Sequence, residues 1–194
     1  MKRLIILFAI TLYCLTATAQ QAATFTDTRD GKVYKIVTIG SRTWLAENLA
    51  FKADSGCWAY DNNGRYTGIW GCLYTFRTAQ KACPAGWHLP GIEEWDSLIS
   101  AAGGADSAGS KLKAKNWWYE NGKGTDAYGF NALPGGFHSH LGDFDGMYGT
   151  GYWWSATATE ATKATVTHMY YQSDKVSKIN ALKTDGYSVR CIKD

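Results

Sequence analysis

The chain predicts a single α+β domain with antiparallel sheets, two main helices, a long loop-rich region and termini paired in one sheet. Three observations lead there. Alternating apolar and polar residues lie towards both ends, helical spacing is confined to the middle, and residues 117–152 are dense in glycine, asparagine and aspartate. Strands first, helices next and strands last is the order of an α+β layer arrangement.

The elements follow in chain order. Residues 32–39 alternate between an Asp30-Gly31 turn and a Gly40-Ser41 turn, and residues 42–45 return as the partner strand. Residues 73–82 carry alanines, a glutamine and a lysine without proline, which predicts a short helix that Pro84 stops. A second helix is predicted over residues 92–101, with Trp95, Leu98 and Ile99 at helical spacing. Glu93 and Glu94 suit the positive end of its dipole, and Gly103-Gly104 ends it. Residues 107–115 add a further turn or two. Strands are then expected at residues 151–157, 165–172, 176–182 and 187–192, with Lys183-Thr184-Asp185-Gly186 as the turn before the last. Residues 117–152 read as too irregular for a regular layer, a loop region held down by its aromatics, where binding surfaces commonly sit.

Residues 1–19 have the three parts of a secretory signal: Lys2 and Arg3, an apolar stretch over residues 4–15, and Ala17-Thr18-Ala19 as the cleavage site. Cys14 follows the bulky Tyr13, a poor setting for a lipid anchor, so cleavage and a single domain over residues 20–194 are expected. No second apolar stretch approaches membrane-spanning length. The net charge is only +3, and the lysines and arginines are scattered rather than gathered, so nucleic acid is not an expected partner. The expected location is outside the cytoplasm, secreted or on the cell envelope.

Without Cys14 the chain keeps Cys57, Cys72, Cys83 and Cys191, an even set in a chain sent to an oxidising compartment. Four cysteines allow three pairings, and sequence alone does not choose between them. The favoured set is Cys57 with Cys72 and Cys83 with Cys191, because an Asp61-Asn62-Asn63-Gly64 turn can bring the first two together. A bridge closing about fifteen residues contributes roughly 3 kcal/mol on the loop-entropy account, and one closing about a hundred nearer ~5 kcal/mol.

Several motifs stand in a fixed order along the chain. They are Asp30-Gly31-Lys32-Val33-Tyr34, Thr43-Trp44-Leu45-Ala46-Glu47-Asn48-Leu49, Leu73-Tyr74-Thr75-Phe76, Cys83-Pro84-Ala85-Gly86-Trp87-His88-Leu89-Pro90 and Glu94-Trp95. Gly129-Phe130-Asn131-Ala132-Leu133-Pro134-Gly135-Gly136, Tyr152-Trp153-Trp154-Ser155-Ala156-Thr157 and Ser188-Val189-Arg190-Cys191 complete the set. Together they span about residues 24–193, and they resemble the Fibrobacter succinogenes major paralogous domain family of secreted Bacteroidetes and Fibrobacteres proteins. The resemblance implies a relative of the C-type-lectin-like fold, with a disulfide from the lower helix to the last strand, here Cys83 to Cys191. It implies a cell-surface setting and no particular activity.

Chemical motifs are weaker. Calcium-dependent sugar binding in the lectin relatives uses a Glu-Pro-Asn or Gln-Pro-Asp loop, and neither occurs around Pro84, Pro90 or Pro134. The Leu89-Pro90 to Glu94-Trp95 corner also resembles the formylglycine-generating oxidases, whose copper chemistry needs free thiols; Cys83 and Cys191 are more simply a closing bridge. His138-Ser139-His140 with Asp143 and Asp145 holds possible metal ligands, but a solvated polar loop is the simpler account. His88 reads as a hydrogen-bonded histidine near the core, Glu93 and Glu94 as dipole partners, and Ser155 lacks a nucleophile elbow. No metal and no cofactor are expected.

Aromatic content stands out, with nine tryptophans and twelve tyrosines. Aromatic faces stack on sugar rings and pack large areas at low rotamer cost. The densest groups, Trp117-Trp118-Tyr119 and Tyr152-Trp153-Trp154, are the expected ligand-binding residues, alternation sending one tryptophan of each group inward and its neighbour outward. The function expected is therefore a non-catalytic recognition module for glycan or surface protein. The alternatives are an extracytoplasmic enzyme, either a carbohydrate-active hydrolase or a copper-thiol oxidase, and a structural surface component.

Overall fold

The computed structural model describes residues 23–194 apart from Asn121 and Lys123. The leader and Cys14 lie outside the described residues. The strands are β1 (Thr24–Thr26), β2 (Val33–Ile39), β3 (Arg42–Leu45), β4 (Cys57–Trp58), β5 (Leu73–Tyr74), β6 (Trp87–His88) and β7 (Gly135–His138). They continue with β8 (Phe144–Met147), β9 (Thr150–Ala158), β10 (Lys163–Tyr170), β11 (Val176–Leu182), β12 (Tyr187–Ser188) and β13 (Ile192–Lys193). The helices are α1 (Thr67–Trp70), α2 (Phe76–Ala82), α3 (Ile92–Ala101) and α4 (Ala108–Leu112). The result is a mixed α+β domain, mostly curled antiparallel sheet with short helices.

One sheet runs β1-β2-β3-β13-β6, antiparallel throughout, so the last strand lies between an early hairpin and the Trp87-His88 corner. Ile192 sits opposite both Trp44 and His88. The second sheet runs β11-β10-β9-β12-β5-β4, with β7 joined in parallel to β9 and β8 antiparallel to β7. The strand expected over residues 187–192 divides between the two sheets. Its ends pair in different sheets, and Val189-Arg190-Cys191 crosses between them, held by Leu49 N–H donating to Val189 C=O at 2.9 Å and Leu45 N–H to Cys191 C=O at 3.0 Å.

Arg190 fills the crossing. It is fully buried, and its guanidinium donates to the carbonyls of Leu45 (3.1 Å), Phe130 (2.5 Å) and Asn131 (3.1 Å) and to Asn48 Oδ1 (3.0 Å). Burial lowers its pKa to about 9, so it is charged at neutral pH and depends on these acceptors. Asn48 also accepts from Trp153 Nε1 at 2.8 Å, tying the crossing to β9.

Two apolar clusters flank the second sheet. Trp44, Trp95, Phe130 and Trp153 belong to one; Tyr74, Phe76, Trp154 and Val189 belong to the other. Trp153 and Trp154 therefore do point to opposite faces of β9, as a strand requires, but both faces are covered and both rings are fully buried. That corrects the expectation that one of the pair faces outward.

Helix α3 occupies the predicted residues: Glu94 accepts the Gly91 N–H at 2.9 Å, and Trp95, Leu98 and Ile99 are its buried face. Helix α2 starts later than expected because Leu73–Tyr74 pairs as a strand, with Thr75 capping the Thr78 N–H at 3.4 Å. The region expected to be too irregular for a layer contains the β7–β8 hairpin. Its glycines are what allow it: a Cβ on Gly136 would lie 2.3 Å from the Asp145 carbonyl, so only glycine permits this approach.

The Cys83–Cys191 bridge is formed, with Cα atoms 5.8 Å apart, and joins the end of α2 to the start of β13 across 108 residues. Cys57 and Cys72 are free thiols, which corrects the expected second bridge. The register gives the reason. Cys57 is opposite Tyr74, not Cys72, so the two cysteines are diagonal neighbours on one face. Diagonal pairs are separated by about 7–8 Å, beyond the usual Cα span of a disulfide.

Candidate functional site

The exposed aromatics gather where the loop before β7, the β8–β9 turn and the segment before α1 meet. Trp117 (46% exposed) and Tyr119 (50%) stand outward on either side of Trp118, which is buried and donates its Nε1–H to the Ala132 carbonyl at 3.0 Å. Trp118 is thus the anchor that holds its two neighbours out, and not a ligand contact. Backbone ties complete the platform: Tyr119 N–H donates to Tyr148 C=O at 2.9 Å, Tyr148 N–H to Pro134 C=O at 2.9 Å, and Tyr171 N–H to Gly149 C=O at 2.9 Å.

These rings touch in series. Trp117 meets the buried Trp70 edge-on at 5.5 Å between centroids, Trp70 meets Tyr148 at 5.3 Å, Tyr148 meets Tyr119 at 5.7 Å, and Tyr119 meets Tyr171 at 5.8 Å. Across from this ridge, Tyr60 and Tyr66 pack edge-to-face at 6.2 Å on a short 3-10 segment. The two walls enclose a cleft of about 310 Å³ with Asp61 and Asp145 on its rim. Beyond Tyr119, a second hollow of about 380 Å³ is lined by Glu120, Tyr171, Gln172 and Asp174.

The backbone here is held in a costly conformation. Seven non-glycine residues among those described have positive φ; Asp61 (51°), Glu120 (42°) and Tyr148 (67°) line this cleft or its extension, and Trp117 (79°) stands on the ridge beside it, against Trp70. For bulky aromatics that region is sterically disfavoured, typically by about 1–3 kcal/mol per residue. The surrounding packing supports the strain. Lys113, buried against Trp118 at 5.1 Å, donates to the Tyr170 carbonyl at 3.0 Å and to the Gly122 carbonyl at 3.4 Å, pinning the far side of the platform.

Of the six aromatics expected to bind ligand, Tyr119 lines the cleft and Trp117 stands half exposed on the adjoining ridge, against Trp70. Trp118, Trp153 and Trp154 are core residues, each with its indole N–H on a buried acceptor. Tyr152 is half-buried, stacked on His168 at 4.6 Å and packed against Phe137 and Tyr187, on a different part of β9. Tyr60, Tyr66 and Tyr148 were not singled out in the sequence. Tyr60 and Tyr66 share a short segment far along the chain from Tyr148, and only the Asp-Asn-Asn-Gly run after Tyr60 and the glycine after Tyr148 mark them as turn residues that topology could bring together.

The histidines take separate partners. His138 is buried and stacked on Trp58 at 4.0 Å, whereas His140 faces Asp185 at 3.0 Å. Among the described residues there is no group of three or more metal-ligating side chains. His88 bridges Asp194 (2.6 Å) and Glu94 (3.1 Å) at the end of the first sheet. Among the described residues, no helix is long and apolar enough to cross a membrane.

No curated protein and no solved structure matches the chain. Residues 37–193, which include the cleft, the Arg190 crossing and both cysteines of the bridge, match the family model of the Fibrobacter succinogenes major domain, and the chain belongs to that family.

Proposed function

We propose that the protein is a glycan-recognition module of C-type-lectin-like architecture, acting outside the cytoplasm, with the Tyr119–Tyr148 cleft and the Trp117 ridge beside it as its binding site. The pairing of β13 with the early hairpin and the bridge from α2 to β13 support the lectin-like reading. The Cys83–Cys191 bridge also supports an oxidising location.

One observation carries the functional reading: a concave cleft edged by carboxylates and walled by the exposed Tyr119 and by Tyr148 at positive φ, with Trp117, strained and half exposed, on the ridge beside it. Packing alone gives no reason to keep a tryptophan both strained and half exposed, whereas a sugar uses both kinds of group. Its apolar ring face stacks on Trp117 or Tyr119, and its hydroxyls donate to Asp61 and Asp145. A cleft of this size is at the small end of ligand sites, which suits one or two sugar units better than a protein face. The cleft binds without turnover.

A glycan array with the wild-type protein, repeated with Trp117→Ala and Tyr119→Ala, tests this. Binding of a restricted glycan set, lost in both variants with folding intact, is the expected result. An empty array, or binding indifferent to both substitutions, overturns it.

A further inference from the structure

A second cleft lies on the other side of the Tyr60–Tyr66 segment. Its volume is about 390 Å³, and Cys57, Cys72, Lys52, Trp58 and Asn62 are among its lining residues. Both thiols lie on the same face of the β4–β5 pair and line this cleft, Cys57 donating to the Phe51 carbonyl at 3.8 Å and Cys72 to the Ala50 carbonyl at 3.5 Å. They are unlike in setting. Cys57 is half-buried, whereas Cys72 is only 3% exposed.

We propose that Cys57 and Cys72 form a reactive dithiol site that exchanges with low-molecular-weight disulfides entering this cleft, Cys57 as the attacking thiol and Cys72 as the resolving one. The asymmetry assigns the roles. The neighbouring Cys72 thiol lowers the Cys57 pKa to about 7 in spite of burial, with Lys52 adding to the effect, which favours the thiolate of Cys57 over that of Cys72. The same contact, with burial, raises Cys72, which keeps its proton until it is needed.

The step balances as ordinary exchange. The Cys57 thiolate attacks one sulfur of R–S–S–R′, the S–S bond breaks, and R′S⁻ leaves and takes a proton from water. Cys72 then loses its proton and attacks Cys57 Sγ, forming the Cys57–Cys72 bond and releasing RS⁻. Two electrons pass from the protein dithiol to the substrate disulfide. The diagonal register makes the product bridge strained, and strained bridges are the readily reduced, exchanging ones. Strand β4 is an edge strand of two residues, which gives it room to shift as the bridge forms.

The test uses the full chain, mildly reduced and desalted, with 5,5′-dithiobis(2-nitrobenzoate) as the disulfide probe and peptide mass mapping to score each cysteine. The wild type is expected to release two thionitrobenzoate equivalents from this pair and to end with Cys57 joined to Cys72. Cys72→Ser should stop at a stable mixed disulfide on Cys57. Cys57→Ser should react at least about tenfold more slowly, since only the buried thiol remains. Retention of the Cys83–Cys191 bridge and an unchanged far-ultraviolet spectrum show that each variant folds. Three results overturn the proposal: thiols that react only in denaturant, equal reactivity of the two cysteines, or a Cys57–Cys72 bridge that survives mild reduction.

Discussion

Trp117 and Trp153 have the same side chain and opposite duties, and their surroundings decide which. Trp153 is fully buried and donates to Asn48; truncation leaves a cavity and removes one of the two donors to Asn48 Oδ1. Trp153→Ala should cost about 3–5 kcal/mol, read as a lowered unfolding midpoint in denaturant. Trp117 rests one edge on Trp70 and leaves nearly half its surface in water. Trp117→Ala should leave stability within about 1 kcal/mol while weakening glycan binding by about tenfold or more, checked by calorimetric titration beside a denaturant melt. Arg190 stands at the other extreme. With no carboxylate among its hydrogen-bond partners, it donates to four oxygens, sharing only Asn48 Oδ1 with Trp153, and Arg190→Ala should cost about 3 kcal/mol or more, because the Leu45 and Phe130 carbonyls lose this donor in the core.

At the scale of elements, the helix α3 and the strands β3 and β11 were legible because each carries its own signals. Glu94 and Gly103 bracket α3, and turns bracket both strands. The β7–β8 hairpin was not legible, since its glycines read as loop until the close approach of Gly136 to Asp145 is seen. Register was hidden for the same reason at β4–β5: nothing local tells whether Cys57 faces Cys72 or Tyr74. His88, on β6, makes a pH-dependent contact with α3 and the chain end. Burial disfavours its charged form, but the hydrogen bonds to Asp194 and Glu94 outweigh it and raise its pKa above the ordinary 6.5. The stability gained is thus fully present below about pH 6.5 and is lost as pH rises through the raised folded value. Melting temperatures from about pH 5.5 to 8.5 should fall more steeply for wild type than for His88→Gln, and parallel curves would remove this contact from the account.

For the whole molecule, the Cys83–Cys191 bridge closes a loop over 108 residues and holds the last strand between the first hairpin and the Trp87 corner. Cys191→Ser should lower stability by roughly 2–5 kcal/mol, measured by equilibrium unfolding under non-reducing conditions. That long-range closure was readable from cysteine parity and compartment together with the family motifs. The cleft was only half readable. Trp117 and Tyr119 announce themselves as neighbours in a dense aromatic run, but Tyr60 and Tyr148 meet Tyr119 only because the β7–β8–β9 connection returns past the Tyr60–Tyr66 segment. Hydroxyl-radical footprinting, with and without a saturating glycan drawn from the array, addresses that assembled site directly. Protection concentrated on Tyr60, Tyr66, Trp117, Tyr119 and Tyr148 is the result predicted here; protection centred elsewhere on the surface, with these five unchanged, would contradict it.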